Sequence, residues 1–256
     1  MGSNYLRLGA PLSALLLAGV AALAPGEASA VPVDLELVMA VDTSSSVSSS
    51  EFNLQRQGYE DAFRSPTIIN AIQSGAIGSI AASLVYWSSS SQQQQAVGWT
   101  QISDSTSANS FADAIAAAAR PYNGSTSISE ALNFSAPLVN GNGYEGTRTV
   151  IDVSGDGTNN SGGSLSTART NALSIVDAIN GLAIGSASLL TYYEDNVIGG
   201  PNSFAIQANS FDAFGAAVSN KLQREITQVP EPATLALMGI AGLAGIGASR
   251  AKKNRP

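Results

Sequence analysis

The sequence predicts an α/β fold with a mostly parallel central sheet and helices on both faces. Short apolar runs, such as residues 35–41 and 149–153, alternate along the chain with amphipathic segments. That alternation is typical of successive βα units. The first run is apolar almost throughout, as expected for a strand that is covered on both faces. Ligands of such folds bind beyond the carboxyl ends of the strands, so the loops that follow these runs are where a site is expected.

Each element of the first half is predicted from an apolar run or from a cap followed by helically spaced apolar residues. These elements are a strand over 35–41, a helix capped by Ser50, a short helix after Ser65-Pro66, strands over 80–87 and 96–102, and helices over 110–120 and 125–138. Between the second and third strands lie four Ser and four Gln, residues 88–95. This low-complexity stretch predicts a flexible, solvent-exposed hairpin tip.

The second half continues the alternation. Its predicted elements are a strand over 149–153, a helix over 164–179, strand segments over 182–184 and 189–193, a last strand over 204–206, and a final helix capped by Ser210. Residues 197–201 are interpreted as a turn between strands, with Tyr192 and Tyr193 in the core. Trp87 and Trp99 are expected to be core residues or cross-strand neighbours.

The composition excludes several kinds of chemistry. The chain has 256 residues, with no Cys and no His. Disulfides, thiol nucleophiles, imidazole bases and the zinc or haem sites that depend on Cys or His are therefore excluded. The remaining ligands are oxygen atoms, which suit hard cations such as Mg²⁺, Ca²⁺ or Mn²⁺.

The charge argues against a nucleic-acid partner. The formal net charge is −7, and only 12% of the residues are charged. So acidic a chain has few basic groups with which to neutralise phosphates.

The N-terminus has the pattern of a secretory signal peptide over residues 1–30. Arg7 precedes an apolar run over 12–23, and Ala28-Ser29-Ala30 gives a small-residue cleavage site. The apolar run is shorter than the ~20 residues that a membrane span needs, so we expect cleavage after Ala30 rather than a permanent anchor.

The C-terminus, residues 229–256, has a second targeting pattern. Val229-Pro230-Glu231-Pro232 is followed by a small apolar helix pattern over 233–248 and by a basic end. The three parts in this order resemble the PEP-CTERM sorting signal of Gram-negative bacteria. The resemblance implies export, transient anchoring in the inner membrane, removal of the tag by an exosortase-type protease, and delivery to the cell surface or extracellular matrix. One domain over 31–228 remains between the two signals.

Three polar loops contain candidate metal ligands. Asp42, Ser44 and Ser46 form a D-x-S-x-S pattern directly after the first strand, and a carboxylate with two hydroxyls can converge on one hard cation. Thr126 lies at a helix start, and Asp156 follows another predicted strand. Taken singly, these loops are also explained as a Ser-rich turn, a helix N-cap and an Asp-Gly turn.

Together the loops resemble a von Willebrand factor A domain with a metal-ion-dependent adhesion site (MIDAS), and more narrowly a family of uncharacterised bacterial exported proteins with that fold. The similarity rests on residues 37–46, 124–128, 151–157, 197–201 and the terminal helix. It implies that Asp42, Ser44, Ser46, Thr126 and Asp156 hold a divalent cation, with Mg²⁺ first and Mn²⁺ or Ca²⁺ as alternatives.

A second carboxylate competes for the place in the third loop. Asp152 lies inside the strand pattern, whereas Asp156 lies beyond it. A residue just past the strand can face the sheet edge, which favours Asp156, and a buried Asp152 would need partners.

The leading hypothesis is a non-enzymatic, metal-dependent domain that binds an acidic group of a partner protein. One alternative is an extracellular hydrolase that uses Asp42 and Asp156 as paired carboxylates, with or without metal. The other is a structural matrix protein without a working metal site. Binding of a divalent cation would separate the first hypothesis from the last.

Overall fold

The structure contains a six-stranded sheet with helices on both faces. It is a computed structural model and describes residues 1–2 and 29–228. The strands are β1 (Val31–Val33), β2 (Leu35–Asp42), β3 (Ile80–Trp87), β4 (Gln93–Ile102), β5 (Tyr144–Gly146), β6 (Thr149–Gly155), β7 (Ala178–Ile184) and β8 (Ala205–Ala208). The helices are α1 (Ser49–Arg64), α2 (Pro66–Gln73), α3 (Ser105–Ala117), α4 (Ile128–Ser135), α5 (Leu165–Leu173), α6 (Ala187–Asn196) and α7 (Phe214–Thr227). The predicted α/β class is confirmed.

The strand order of the main sheet is β4-β3-β2-β6-β7-β8, and only the β3–β4 pair is antiparallel. β1 and β5 form a separate parallel pair. From β2 the chain first moves outward to β3 and later returns to β6 on the other side of β2. The strand order therefore reverses between β2 and β6, and loops that leave the carboxyl ends of these strands flank a crevice suited to ligands.

The apolar residues of β2 contribute side chains to both layers of the core. All eight residues of the strand are buried. Leu37 and Met39 pack into the layer formed with α1, α2, α3 and α7, whereas Val38 and Ala40 pack into the layer formed with α4, α5 and α6. Successive side chains of a strand point to opposite faces, so a strand between two helical layers is apolar at nearly every position.

The strand predicted over 189–193 is wrong, because these residues lie in helix α6. Ser186 caps the helix by accepting a hydrogen bond from the backbone N–H of Leu189 at 3.3 Å. Leu189 and Tyr193, four residues apart, are both buried in the same core layer. Packing of this i, i+4 pair outweighs the β-propensity of the local sequence. The segment 197–201 accordingly follows a helix and is not a turn between two strands.

Several helix boundaries also differ from the predictions. α1 is capped by Ser48 rather than Ser50, and α3 begins earlier than predicted, after an Asp104 capping box. α5 ends at Leu173, so the predicted helix over 164–179 ran into the buried strand β7. The 125–138 segment starts as an irregular loop, becomes α4 and ends in a 3₁₀ turn.

The final helix is present, but Ser210 makes no side-chain capping bond and a 3₁₀ turn, Phe211–Ala213, precedes α7. The last predicted strand corresponds to β8. Trp87 is fully buried, and the Nε1 of Trp99 donates to the carbonyl of Leu138 at 2.8 Å.

The Ser/Gln stretch forms the tip of the β3–β4 hairpin, with Ser90 and Ser91 exposed as predicted, but the exposed tip is shorter than predicted. Its Gln93–Gln95 portion belongs to β4, and Ser88 is fully buried. The Oγ of Ser88 accepts from the backbone N–H of Gly124 at 2.8 Å and donates to the carbonyl of Ser125 at 3.1 Å. Small polar side chains at this position thus anchor the loop that leads to α4.

The predicted signal peptide and sorting segment fall almost entirely outside the described residues. Within 29–228, no helix has the length and apolarity needed to cross a membrane.

Candidate metal centre

The five residues that the sequence predicts as ligands lie together at the carboxyl edge of the sheet. Asp42 is the last residue of β2, and Asp156 is the first residue after β6, which pairs with β2. Ser44 and Ser46 follow in the turn after β2, and Thr126 lies two residues before α4. Parallel pairing brings the two strand ends to the same edge.

Hydrogen bonds join four of these side chains in a row. The Oγ of Ser46 donates to Oδ1 of Asp156 at 2.7 Å. The hydroxyls of Ser44 and Ser46 share a hydrogen bond of 3.0 Å, and Oγ1 of Thr126 donates to Oγ of Ser44 at 3.3 Å. The row runs from buried Thr126 and Ser44 to exposed Ser46 and half-buried Asp156. Its oxygens therefore reach from the interior to solvent.

Asp42 is a buried carboxylate with little compensation for its charge. Its Oδ1 accepts from the backbone N–H of Ser44 at 2.7 Å, while Oδ2 has no hydrogen-bond partner in the described part of the chain. Burial raises the pKa of Asp42 to about 7; the hydrogen bonds from Ser44 and the charge of Arg120 oppose the rise, and the nearby Asp156 adds to it. Burial also raises the pKa of Asp156, and the bond from Ser46 opposes that rise. Two carboxylates at one edge favour a positive ligand.

Arg120 fixes the turn that presents Ser44 and Ser46. Its Nη2 donates to the carbonyls of Thr43, Ser44 and Val47 at 2.9, 2.8 and 2.7 Å. Three carbonyls converging on one guanidinium nitrogen hold the turn closed, because charge-assisted bonds are stronger than neutral ones. The guanidinium also lies over the ring of Phe52. In the sequence, Arg120 lies only at the end of a predicted helix, and no local pattern identifies its role.

Asn160 holds Thr126 in place. Its Oδ1 accepts from the backbone N–H of Thr126 at 2.9 Å, and its own N–H donates to the Thr126 carbonyl at 2.9 Å. The loop after β6 is thereby joined to the loop before α4. Asn160 was not among the predicted site residues; the Asn159-Asn160 pair in a Gly- and Ser-rich loop is the signal that could have identified it.

Gly155 lets the backbone of β6 approach Asp42. A Cβ at this position would lie 2.8 Å from the hydroxyl of Tyr193 and 2.9 Å from Oδ2 of Asp42. The Tyr193 hydroxyl is buried and, like Asp42 Oδ2, has no partner among the described residues. Tyr193 was expected in the core, which is where it lies, but its hydroxyl at the site was not anticipated.

Asp152, the alternative carboxylate, lies apart from the cluster. It is fully buried and forms an ion pair with Lys221 of α7, with Nζ and Oδ1 2.5 Å apart. Lys221 also pairs with Glu225 at 2.5 Å. These are the partners that the sequence could not name. Asp152 therefore points into the α7 layer, whereas Asp156 is bonded to Ser46.

The donor set fits a hard divalent cation. It contains two carboxylates and three hydroxyls, and oxygen ligands of this kind suit Mg²⁺, Mn²⁺ or Ca²⁺. In residues 29–228 no group of three or more His, Cys, Asp or Glu could hold a metal ion. The hydroxyls would thus have to supply the oxygens that a richer acidic cluster would provide.

An open groove of about 450 Å³ adjoins the cluster. Asp156 and Gly157 line it, together with Ser188, Leu189 and Tyr192 of α6. A group that approached Asp156 from solvent would therefore meet both polar and aromatic surface.

The fold is that of a von Willebrand factor type A domain. A domain of that type from Catenulispora acidiphila superposes with a TM-score of 0.52 at 12% identity, covering 77% of this chain and 43% of the other. Proximal thread matrix protein 1 of the mussel byssus, "with zinc occupied MIDAS motif", superposes with a TM-score of 0.55 at 16% identity, covering 76% of this chain and 46% of the other. The pilus adhesin SpaC of Lactobacillus rhamnosus GG superposes with a TM-score of 0.56 at 16% identity, covering 78% of this chain and 31% of the other. The chain thus spans less than half the length of these proteins.

Within that class, the chain belongs to the family described as "Protein of unknown function (DUF1194)", whose model matches residues 32–230. Residues 228–253 match the PEP-CTERM protein-sorting motif, which marks an exported protein sorted to the cell surface and processed by an exosortase. No curated protein gives a significant match.

Proposed function

We propose that the domain binds a divalent cation through Asp42, Ser44, Ser46, Thr126 and Asp156, and uses it to capture an acidic group of a partner protein. The observation that carries this proposal is the buried Asp42 carboxylate, one oxygen of which has no partner in the described residues. Burying a charge without a counter-charge is unfavourable. A cation at this edge would compensate both Asp42 and Asp156.

Each of the five residues would have a distinct role toward the cation. Asp42 and Asp156 would bring negative charge, and the three hydroxyls would bring neutral oxygens. When bound, the cation supplies positive charge that can accept a further oxygen ligand. Arg120 and Asn160 hold the loops, so the hydroxyls are positioned before the cation arrives.

A partner could reach the site from solvent. Ser46 is exposed and Asp156 is half-buried, and the adjoining groove opens beside them. A carboxylate from another protein would complete the cation's ligands while neighbouring side chains entered the groove. Structural neighbours that include an adhesin and a thread matrix protein support binding rather than catalysis as the activity.

The setting proposed for this activity is the cell surface or the exopolymer matrix. The sorting motif supports delivery there. Before processing, we propose that the C-terminal segment holds the chain in the inner membrane, where an exosortase-type protease removes it. Mg²⁺ is the expected cation, with Mn²⁺ and Ca²⁺ as alternatives.

Calorimetric titration of residues 31–228 with Mg²⁺, Mn²⁺ and Ca²⁺ tests the site. We expect saturable binding that is lost in Asp42→Ala and in Asp156→Ala, and retained in Asp61→Ala, which removes an exposed carboxylate of α1. Adding acetate should tighten cation binding if an acidic group completes the site. A folded domain that binds no cation with or without acetate would contradict the proposal, as would binding that survives both ligand substitutions.

A further inference from the structure

Helix α6 brings a phenol to the metal centre that has no role in the cation binding described above. Tyr193 is fully buried in the core layer that α6 shares with α4 and α5. A Cβ at Gly181 of β7 would lie 2.8 Å from Cδ1 of its ring, and a Cβ at Gly155 of β6 would lie 2.8 Å from its hydroxyl. Two glycines on paired strands therefore leave room for this side chain to lie across the sheet and reach its carboxyl edge.

The Tyr193 hydroxyl and Oδ2 of Asp42 approach the same point. The Cβ position of Gly155 that is 2.8 Å from the hydroxyl is 2.9 Å from Oδ2. Both oxygens are buried, and neither has a hydrogen-bond partner within residues 29–228. A phenol can donate and an ionised carboxylate only accepts, so each atom offers what the other lacks. Buried polar atoms are seldom left unpaired, which points to a bond between these two in the occupied site.

The surroundings of Asp42 leave Oδ2 to Tyr193. Oδ1 accepts from the backbone N–H of Ser44 at 2.7 Å, so that oxygen faces the turn that carries the hydroxyl ligands. Burial raises the pKa of Tyr193 well above its ordinary value, and the charge of Asp42 is the next largest cause of the rise. The phenol therefore stays protonated and remains a donor. The terminal torsion of an aspartate is soft, so a modest rotation of the carboxylate would bring Oδ2 to the hydroxyl.

We propose that Tyr193 is a positioning residue of the metal centre, whose hydroxyl donates to Oδ2 of Asp42 when a cation is bound, a role that rests on the proposed function. Carboxylates that hold metals are themselves hydrogen-bonded by neighbouring groups, which fix their orientation. A phenol brings no charge, so it orients Asp42 without replacing the cation. Tyr192, the preceding residue of α6, lines the groove, so the bond also joins the groove to the metal centre through one helix.

The test titrates the full-length protein in detergent with Mg²⁺, Mn²⁺ and Ca²⁺ in a calorimeter, with and without acetate, after chelation of bound metal and transfer to chelator-free buffer. Tyr193→Phe keeps the ring and removes the hydroxyl. We expect its cation affinity to fall by about tenfold or more, the usual cost of losing a group that orients a metal ligand. The melting temperature of the metal-free variant should not fall, because the hydroxyl has no partner in the described chain to lose. A purely structural role would give the reverse, a lower melting temperature and unchanged affinity.

Two comparisons show whether the donated hydrogen bond is responsible. Tyr86→Phe is the matched control: it also removes a buried hydroxyl without a partner among the described residues, in the opposite core layer, and should bind cations as wild type does. At position 193, 4-aminophenylalanine keeps a donor and should recover most of the lost affinity, whereas 4-methylphenylalanine donates nothing and should not. The 4-methyl variant, which is as large as tyrosine, replaces Tyr193→Phe if the latter does not fold.

The possible results separate the role of Tyr193 from the proposed function. Wild type that binds none of the three cations, with or without acetate, would overturn both. Wild type that binds a cation with the same affinity as Tyr193→Phe would overturn the role of Tyr193 alone. An equal loss of affinity in Tyr86→Phe, or in the 4-aminophenylalanine protein, would also overturn that role.

Discussion

Two buried aspartates lie on neighbouring central strands and have opposite surroundings. Asp152, in the middle of β6, pairs with Lys221, which also contacts Glu225. The Oδ1 of Asp42, the last residue of β2, accepts from the backbone N–H of Ser44, and its Oδ2 has no hydrogen-bond partner among the described residues. Burial raises the pKa of both carboxyl groups. The charge of Lys221 is the largest effect that lowers the pKa of Asp152, whereas the largest effect that lowers the pKa of Asp42 is the backbone hydrogen bond from Ser44.

This difference separates an acid that the fold neutralises from one that it leaves for a ligand. A buried ion pair needs both partners within the protein, and α7 provides Lys221 for Asp152. At the sheet edge, no cationic side chain of the described residues is bonded to the Asp42 carboxylate, because the nearby Arg120 donates instead to the carbonyls of Thr43, Ser44 and Val47. A cation from solution could therefore take the place that Lys221 takes at Asp152. Removing the charge of Lys221 should therefore lower the stability of the fold, whereas removing the charge of Asp42 should raise it.

Lys221→Met is expected to have the largest effect. It removes the lysine that pairs with both Asp152 and Glu225, and removing one partner of a buried ion pair costs about 3–5 kcal/mol. The free energy of unfolding from urea denaturation, measured at pH 7.5, should fall by that amount. Gln223→Met, an exposed position on the same helix, is the control and should change it by less than about 0.5 kcal/mol. A loss below 1 kcal/mol in Lys221→Met would mean that Asp152 does not depend on this lysine.

The contrast also shows what could be predicted from the sequence. Asp42 and its D-x-S-x-S loop follow an apolar run, so local pattern places them at a strand end. Lys221 is 69 positions from Asp152 in the chain, and no local signal pairs them. The same holds for Arg120, whose bonds to the Ser44 turn arise from tertiary packing alone. Patterns of strands and motifs were predictable, whereas the partners of buried charges were not.

Two wrong predictions from the sequence have a related physical cause. The strand predicted over 189–193 is helical because Leu189 and Tyr193 pack together into the layer formed with β7. Ser88 was expected in solvent, yet it is buried because its hydroxyl bonds to the Gly124–Ser125 backbone. In both cases a long-range contact outweighs local propensity or composition.

In metal-free buffer, Asp42→Asn should increase the free energy of unfolding, whereas Lys221→Met should decrease it. The folded-state pKa of Asp42 is about 7, against the ordinary value of 3.8 for an aspartate carboxyl. Folded wild type therefore binds more protons than the unfolded chain between these pH values, and its stability falls as pH rises through that window. Since Asn needs no ionisation, the variant should be more stable above pH 7 by about 2–4 kcal/mol.

The pH series and added cation test that interpretation. As the pH falls below 3.8, the stabilities of the variant and wild type should converge, because the wild-type carboxyl is then mostly protonated in both the folded and the unfolded state. Saturating Mg²⁺ should stabilise wild type but not Asp42→Asn. Asp61→Asn, at an exposed position, should match wild type throughout. An Asp42→Asn protein that is less stable than wild type at pH 7.5 without metal would contradict the view of Asp42 as an uncompensated charge.

Gly155→Ala is the mildest change that acts directly at Asp42. The new methyl would lie 2.9 Å from Oδ2 of Asp42 and 2.8 Å from the Tyr193 hydroxyl, so one of these groups must move. Overpacking of this kind costs about 1–3 kcal/mol, which urea denaturation would detect, and displacement of Asp42 should weaken Mg²⁺ binding in the calorimeter. Gly98→Ala is the matched control, because a Cβ there meets nothing within 4 Å on the exposed side of β4. It should leave both quantities unchanged or raise stability slightly. Equal behaviour of the two variants would mean that the close approach of β6 to Asp42 is not needed, and that the carboxylate tolerates a wider site than the structure shows.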